Sequence, residues 1–308
     1  MKQQMSRRDA SKSLMTLALG LSLSSFEITS LVENLRKKPI PSSGEQLPVV
    51  GVGTWQTFDV GNNDSEREPL RQVLKLLTEK GGSVIDSSPM YGRSEGVVGE
   101  LSKELDLSKK LFGATKVWTS GKQSGIRQME QSMQLMNKRP MDLMQVHNLV
   151  DWRTHLDTLK GWKADGKVRY MGITHYVESA YDDMEQIMKN HPIDFIQLNY
   201  SILSRTAEQS ILPLAQDRGI AVIVNRPYEG GSLFRKTRGK EIPTWAKDFD
   251  CNSWGQFFLK YMVSHPAVNC VIPGTAKPKH MIDNLGAGLG RLPNAEQRKR
   301  MVKLVENL

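Results

Sequence analysis

Cysteine is scarce in this chain, with Cys251 and Cys270 the two thiols among 308 residues. Two thiols exclude a multi-bridge disulfide framework, and their separation does not fit metal ligation. Neither C-x-x-C nor H-E-x-x-H occurs, so no metal site is expected. Cys270 lies in the apolar run VNCVIPG and reads as a small core hydrophobe. Long apolar runs are also missing: Leu14 to Leu23 spans ten residues, short for crossing a bilayer. No Lys/Arg-rich run is interleaved with aromatics, although the net charge is +9. The first twelve residues hold four bases and one acid, and without them 38 bases face 32 acids, leaving +6. That surplus reads as solvated surface rather than a nucleic-acid footprint. At 39% hydrophobic and 24% charged, the chain has an ordinary globular composition, and barrels reach this length as one domain.

What is present begins with an address. Residues 6–12 read SRRDASK, followed by the ten-residue apolar run. A basic start and a short apolar centre fit an export signal. The segment resembles a twin-arginine translocation signal, matched at Ser6, Arg7, Arg8 and Lys12, with Ala10 where a bulky apolar residue is usual. No A-x-A cleavage site occurs, and Ser22-Leu23-Ser24 is a weaker substitute. An exposed amphipathic tail is the plainer alternative. The expected organisation is therefore residues 1–36 as export signal and linker, and 37–308 as the main domain. This implies a periplasmic or otherwise exported protein that meets the export machinery. It meets the membrane only if the signal is retained as an anchor. The twin-arginine route carries folded cargo, which suits a protein that must acquire a cofactor before leaving the cytosol.

From Pro39 to Val50, PIPSSGEQLPVV has turn residues between apolar ends, the pattern of a short hairpin. Eight apolar runs follow: VVGVGT, SVIDSS, LFGATKV, DLMQVH, VRYMGIT, DFIQLNY, IAVIVNRP and VNCVIPGT. Amphipathic stretches such as SEREPLRQVLKLLTEKG and AEQSILPLAQDRG separate them, each with a terminal Gly as helix stop. Eight β/α units predict an α/β fold, a (β/α)8 TIM barrel with a short N-terminal β-hairpin. A doubly wound sheet would place G-x-G-x-x-G after the first strand. Gly51 and Gly53 fit, but Gln56 occupies the third position, so that fingerprint fails.

A barrel gathers its chemistry at the C-terminal ends of its strands. Those ends carry Thr54, Asp86, Lys116, His147, Thr174 with His175, Gln197 with Asn199, Arg226 and Gly274. Reducing a carbonyl by hydride requires a proton for the developing alkoxide, and Tyr91 can supply it. A free phenol titrates near about 10, so a neighbouring ammonium, Lys116, is expected to lower it. Asp86 would compensate the buried ammonium, and His147 would orient the carbonyl oxygen. Taken singly, each residue has a plainer role: a turn cap, a packed aromatic, a surface lysine, a core histidine. Four together at strand ends argue for a proton-transfer site.

The chain resembles the aldo-keto reductases from about Pro39 to its C-terminus. GVGTW at 51–55, VIDSSPMYG at 84–92, TK at 115–116, QVHN at 145–148, GIT at 172–174, QLNY at 197–200 and IPGT at 272–275 carry the likeness. The resemblance implies a barrel that binds NADP(H) without a Rossmann domain, with Asp86, Tyr91, Lys116 and His147 as catalytic tetrad. It implies an NADPH-dependent reductase of an aldehyde, ketone or sugar. Thr174, His175 and Gln197 would hold the nicotinamide carboxamide, His175 departing from the family's Asn. Arg226 replaces the ring-stacking Tyr; its guanidinium can stack, or Tyr228 can shift in. Gly230, Gly231, Ser232 and Leu233 would wrap the pyrophosphate. Thr54 and Gly274 would lie beside the cofactor; Thr275, Lys277 and His280 would hold a 2′-phosphate, with Asp283 and Asn284 reaching the adenine. A mildly positive field suits such an anion.

Trp55, Trp118 and Asn148 are expected to wall the substrate pocket, although tryptophan near a strand end also serves as core filler. His191 and His265 end helical patterns, where a histidine complements the helix dipole, and His155 is expected at the surface. The alternative to catalysis is a nicotinamide-binding barrel that senses redox state or binds a partner with little turnover. A sugar oxidoreductase with a tightly held cofactor is a further possibility.

Overall fold

The computed structural model describes residues 35–308, so nearly all of the expected export segment lies outside the described residues. The first strands, β1 (Lys37–Pro39) and β2 (Gln46–Pro48), pair antiparallel as the expected hairpin, displaced a little toward the N-terminus. Eight parallel strands follow in chain order: β3 (Val52–Gly53), β4 (Val84–Asp86), β5 (Phe112–Val117) and β6 (Met141–His147), then β7 (Val168–Thr174), β8 (Phe195–Asn199), β9 (Ala221–Asn225) and β10 (Val268–Val271). Bridges Val50–Val271 and Gly53–Gly274 join the last strand to the first. The seam has backbone bonds from Gly51 N to Val271 O at 2.9 Å and from Val271 N to Val49 O at 2.9 Å. The architecture is the expected (β/α)8 barrel.

Helices alternate with these strands. They are α1 (Asp64–Glu79), α2 (Ser94–Glu104), α3 (Lys122–Leu135), α4 (Trp152–Ala164), α5 (Tyr181–Asn190) and α6 (Ile211–Arg218). The short α7 (Ser232–Lys236) and α8 (Trp254–Val263) precede β10, and α9 (Pro278–Gly286) and α10 (Ala295–Glu306) close the chain. Local chemistry sets their ends. Asn63 caps α1 through Ser65 N, and Asn294 with Gln297 forms a capping box on α10. Gly219 stops α6 at φ 63°, a left-handed conformation that costs glycine little. Among the described residues no helix is long and apolar enough to cross a membrane.

The barrel interior is layered by the two-residue period of its strands. Val84, Phe112, Ala114, Leu143, Tyr170, Phe195, Ala221, Ile223 and Cys270 share one apolar cluster, which Ile40 and Leu47 of the hairpin join. The hairpin thus closes the N-terminal end of the barrel, and Cys270 is the core hydrophobe expected. Continuing the inward series of β4 to β9 by two or four places yields Asp86, Lys116, Gln145, His147, Thr174, Gln197, Asn199 and Asn225. The sequence therefore builds an apolar floor and a polar mouth. Gly172 interrupts the β7 series because a Cβ there would stand 2.4 Å from Phe195 O.

Candidate active site

The register aligns the polar mouth. Asp86 pairs with Ala114, Lys116 with Gln145, His147 with Thr174, and Thr174 with Gln197. At its centre Lys116 is fully buried, its Nζ 2.7 Å from Asp86 Oδ2 and 2.6 Å from Ser87 O. The other carboxylate oxygen accepts Gln197 Nε2 at 2.9 Å and Gln145 Nε2 at 3.3 Å. Moving an ion out of water costs several kcal/mol even after relaxation, roughly what a well-placed partner returns. The pair is therefore poor evidence of stability and better read as chemistry held in position.

Lys116 Nζ lies 5.0 Å from the centre of the Tyr91 ring. Burial acts to lower the Lys116 pKa, but Asp86 and Tyr91 outweigh it and the net direction is upward, keeping the ammonium charged. For Tyr91 the largest influence is burial, which raises the phenol; Lys116 pulls it down, and Asp86 pushes it up. The net direction is upward. This corrects the expectation of a lowered phenol: Lys116 acts with the expected sign, but desolvation is larger. Tyr91 therefore keeps its proton at neutral pH.

His147 is buried 6.0 Å from the Tyr91 ring in an edge-on arrangement, with the Trp118 ring 6.3 Å away. Burial, then the Lys116 charge and His175, bring its pKa down to about 3, so the imidazole is neutral. Its Nδ1 is 3.0 Å from Ser88 Oγ. The next turn, His147 to Val150, closes with Val150 N on His147 O at 3.1 Å, and Asn148 and Leu149 both take positive φ. Asn148 is half-buried there, with Oδ1 buried and unpartnered among the described residues. Trp55 and Trp118 are 51% and 41% exposed, so neither is core filler.

The expected cofactor residues fall into three groups. In the mouth, Thr174 Oγ1 donates to Gln197 Oε1 at 3.1 Å, fixing the amide whose nitrogen reaches Asp86. His175 Nδ1 accepts Tyr176 N at 3.1 Å and Val177 N at 3.2 Å, so the neutral ring carries its proton on Nε2. Burial lowers its pKa. Asn225, half-buried beside them, leaves Oδ1 buried and without a partner among the described residues. Thr54 is buried, its hydroxyl 3.0 Å from Ser87 Oγ.

On the rim, Arg226 is exposed at φ 48°, its guanidinium 5.7 Å from the Tyr176 ring, which stacks on His175. Tyr228 donates to Asn284 Oδ1 at 2.6 Å and packs against Phe234 and Phe258. Tyr228 is thus engaged with protein partners, whereas the Arg226 side chain is exposed. Gly230 and Gly231 follow in left-handed conformations at φ 60° and 89°, turning the chain into α7 at Ser232; Leu233 is buried.

Beyond β10, Gly274 touches Gly53 across the seam, and Thr275 Oγ1 accepts Lys277 N at 3.0 Å. Lys277, Lys279 and His280 are exposed at the start of α9. Burial and the two lysines lower the His280 pKa. Asp283 accepts Ser253 Oγ at 2.8 Å and Gln256 Nε2 at 3.0 Å, tying α9 to the start of α8, and Asn284 is buried. Both therefore have protein partners already.

Sequence reasoning missed Ser87, Ser88 and Gln145. Gln145 was accessible as the inward residue two before His147, whereas the serines resemble ordinary turn residues. His155 is corrected: it is fully buried, with Nε2 2.6 Å from Thr119 O. His265 is neutral rather than a charged helix-dipole partner, because burial and then Arg298 bring its pKa down to about 4. Among the described residues no His, Cys, Asp and Glu cluster could hold a metal ion.

A buried ammonium–carboxylate pair, a protonated phenol and a neutral imidazole at the mouth of a parallel barrel define an oxidoreductase-type site. A sequence profile of the aldo/keto reductase family matches residues 49–306, and the chain belongs to that family. It is similar to methylglyoxal reductase YeaE of Escherichia coli, 27% identical over 85% of this chain and 93% of that protein. An NADH-specific methylglyoxal reductase of E. coli is 26% identical over 69% of this chain and 73% of its own length. Among solved structures, an aldo-keto reductase from Klebsiella pneumoniae in complex with NADPH superposes with TM-score 0.74. It is 22% identical and aligned over 88% of this chain and 95% of that one.

Proposed function

We propose that this chain is an NADPH-dependent carbonyl reductase in which Tyr91 gives the proton to the carbonyl oxygen. The observation that carries the reading is the Lys116–Asp86 pair at 2.7 Å beside a phenol that burial keeps protonated. The residues at the mouth fit a nicotinamide dinucleotide. Thr174, His175 and Gln197 offer hydroxyl, N–H and amide groups, with Asn225 Oδ1 still free to accept. Arg226 offers a planar face, the turn at Gly230 and Gly231 offers backbone N–H groups, and Lys277 with His280 offers positive or hydrogen-bonding groups for a 2′-phosphate. When bound, NADPH would supply the hydride.

The protein's own work is then positional. His147 donates a hydrogen bond to the substrate carbonyl oxygen, which polarises the carbonyl and sets it against Tyr91. Tyr91 releases its proton to the developing alkoxide, and Lys116 stabilises the phenolate left behind. Asp86 keeps Lys116 charged throughout. Trp55 and Trp118 face the open side with exposed rings, which suits a small aldehyde, ketone or sugar.

The test is NADPH oxidation by the purified protein with a panel of aldehydes that includes methylglyoxal, alongside Tyr91→Phe. The expected result is a turnover loss on the order of 10²–10⁴ in the variant with NADPH affinity retained. Equal rates would reject Tyr91 as the acid. Tighter binding of NADH than NADPH would reject the cofactor preference.

We further infer an exported enzyme, supported by the order of paired arginines and apolar run in residues 6–23. Sequencing the mature N-terminus after cell fractionation tests this; a full-length cytosolic protein would refute it.

A further inference from the structure

We propose that Ser88 is a positioning residue that fixes the tautomer of His147. The inference deepens the functional reading above and rests on it, since it concerns how His147 comes to present a donor to the substrate.

Ser88 is fully buried two residues beyond Asp86, with its Oγ 3.0 Å from His147 Nδ1. The same Oγ accepts Met90 N at 3.3 Å. A serine hydroxyl has one proton and two lone pairs. The Met90 N–H occupies one lone pair, and His147 Nδ1 is the partner toward which the hydroxyl proton can turn.

Two arrangements satisfy the 3.0 Å contact. In one, Ser88 donates to Nδ1, so the neutral ring carries its proton on Nε2. In the other, Nδ1–H donates to Ser88, whose own O–H is then buried with no acceptor among the described residues. Leaving a buried donor unmade costs about 1–3 kcal/mol, roughly a five- to 150-fold bias toward the first arrangement. Protonating both nitrogens is disfavoured by burial and the nearby Lys116 ammonium. His147 therefore presents Nε2–H, the form that can donate to a carbonyl oxygen, and Ser88 makes it the resting form.

The arrangement does not depend on a carboxylate. An acidic partner on Nδ1 would favour an imidazolium and place a second cation close to Lys116. A neutral hydroxyl selects the tautomer without adding charge, which leaves Lys116 as the charge that acts on Tyr91.

The experiment combines two measurements on the full chain. Nitrogen-15 NMR of the histidine rings, assigned with His147→Gln, reads which ring nitrogen of His147 carries the proton. Steady-state kinetics with NADPH and methylglyoxal compares wild type, Ser88→Ala and Ser88→Cys. The expected result is an Nε2–H tautomer in wild type and a mixture of tautomers in Ser88→Ala. That variant should also lose kcat by roughly tenfold or more with KM for NADPH unchanged, and Ser88→Cys should fall between the two.

A wild-type Nδ1–H tautomer overturns the proposal, and this holds even if the variants fail to fold. So does a Ser88→Ala protein that loses kcat with its tautomer unaltered, or shifts tautomer with kcat unaltered. An undiminished kcat in His147→Gln instead overturns the functional reading beneath it, whatever the spectra show.

Discussion

Gln197 Nε2 stands 2.9 Å from Asp86 Oδ1, joining residues 111 positions apart. The same amide accepts Thr174 Oγ1 at 3.1 Å, so one side chain links the expected nicotinamide contacts to the proton-transfer pair. Gln197→Leu removes both bonds, leaving a buried hydroxyl and a carboxylate oxygen short of partners. A stability loss of about 1–3 kcal/mol is expected. NADPH affinity and kcat should fall together, measured by fluorescence titration and steady-state rates. A change in one alone would show that the amide does not couple the two halves.

Lys116→Met leaves the Asp86 carboxylate buried without its cation. Removing one member of such a pair costs about 3–5 kcal/mol. The double variant Asp86→Leu with Lys116→Met should recover much of that in urea unfolding, because no charge remains to be desolvated. It should recover none of the turnover. Additive stability losses in the two single variants would contradict the pairing.

Acid should unfold the protein partly through His147. Its folded pKa, about 3, lies below the ordinary 6.5. As pH falls the unfolded chain takes the proton first, so the stabilisation is complete above pH 6.5 and is lost progressively toward pH 3. The urea midpoint of wild type should decline more steeply between neutral and mildly acidic pH than that of His147→Gln. Parallel declines would mean that the ring is not held neutral.

The alkaline limb of carbonyl reduction should lie high. Tyr91 must be protonated to act as the acid, and burial raises its pKa, so activity should persist to at least about pH 10, the ordinary phenol value. A pH–rate profile of kcat checks this. A limb near pH 8 would assign the proton to another group or show that bound ligand reverses the effect of burial.

Gly172→Ala should disrupt the barrel, because its Cβ would lie 2.4 Å from the Phe195 carbonyl of the neighbouring strand. Gly161→Ala, with nothing within 4 Å of the added carbon, should be neutral or slightly stabilising. Thermal unfolding of the two variants measures the contrast.

Much of this was legible because it is periodic. VIDSS, FGATKV and MDLMQVH each pair apolar inward positions with a polar residue at the strand's end, and that alternation marks both barrel and mouth. That alternation places Asp86, Lys116 and His147; Tyr91, in the loop beyond β4, came with the family resemblance. The direction of the Tyr91 shift was not legible, since it depends on how completely packing excludes water from the phenol. His155 was misread for a related reason. The space that buries it belongs to Gly125 on α3, where a Cβ would stand 2.3 Å from its ring. Ser88 escaped notice because a hydroxyl in a turn is common, and its importance comes only from the β6 histidine brought against it.

The bridges from Val50 to Val271 and from Gly53 to Gly274 make the ring continuous where its first and last strands meet. Thr54 and Trp55 flank that joint on one side, Gly274 and Thr275 on the other. A ligand spanning both flanks would act as a clamp on the closure. Deuterium uptake at Gly51 and Val271 should then slow more on saturation with dinucleotide than uptake midway around the wall, tying occupancy of the mouth to integrity of the cylinder.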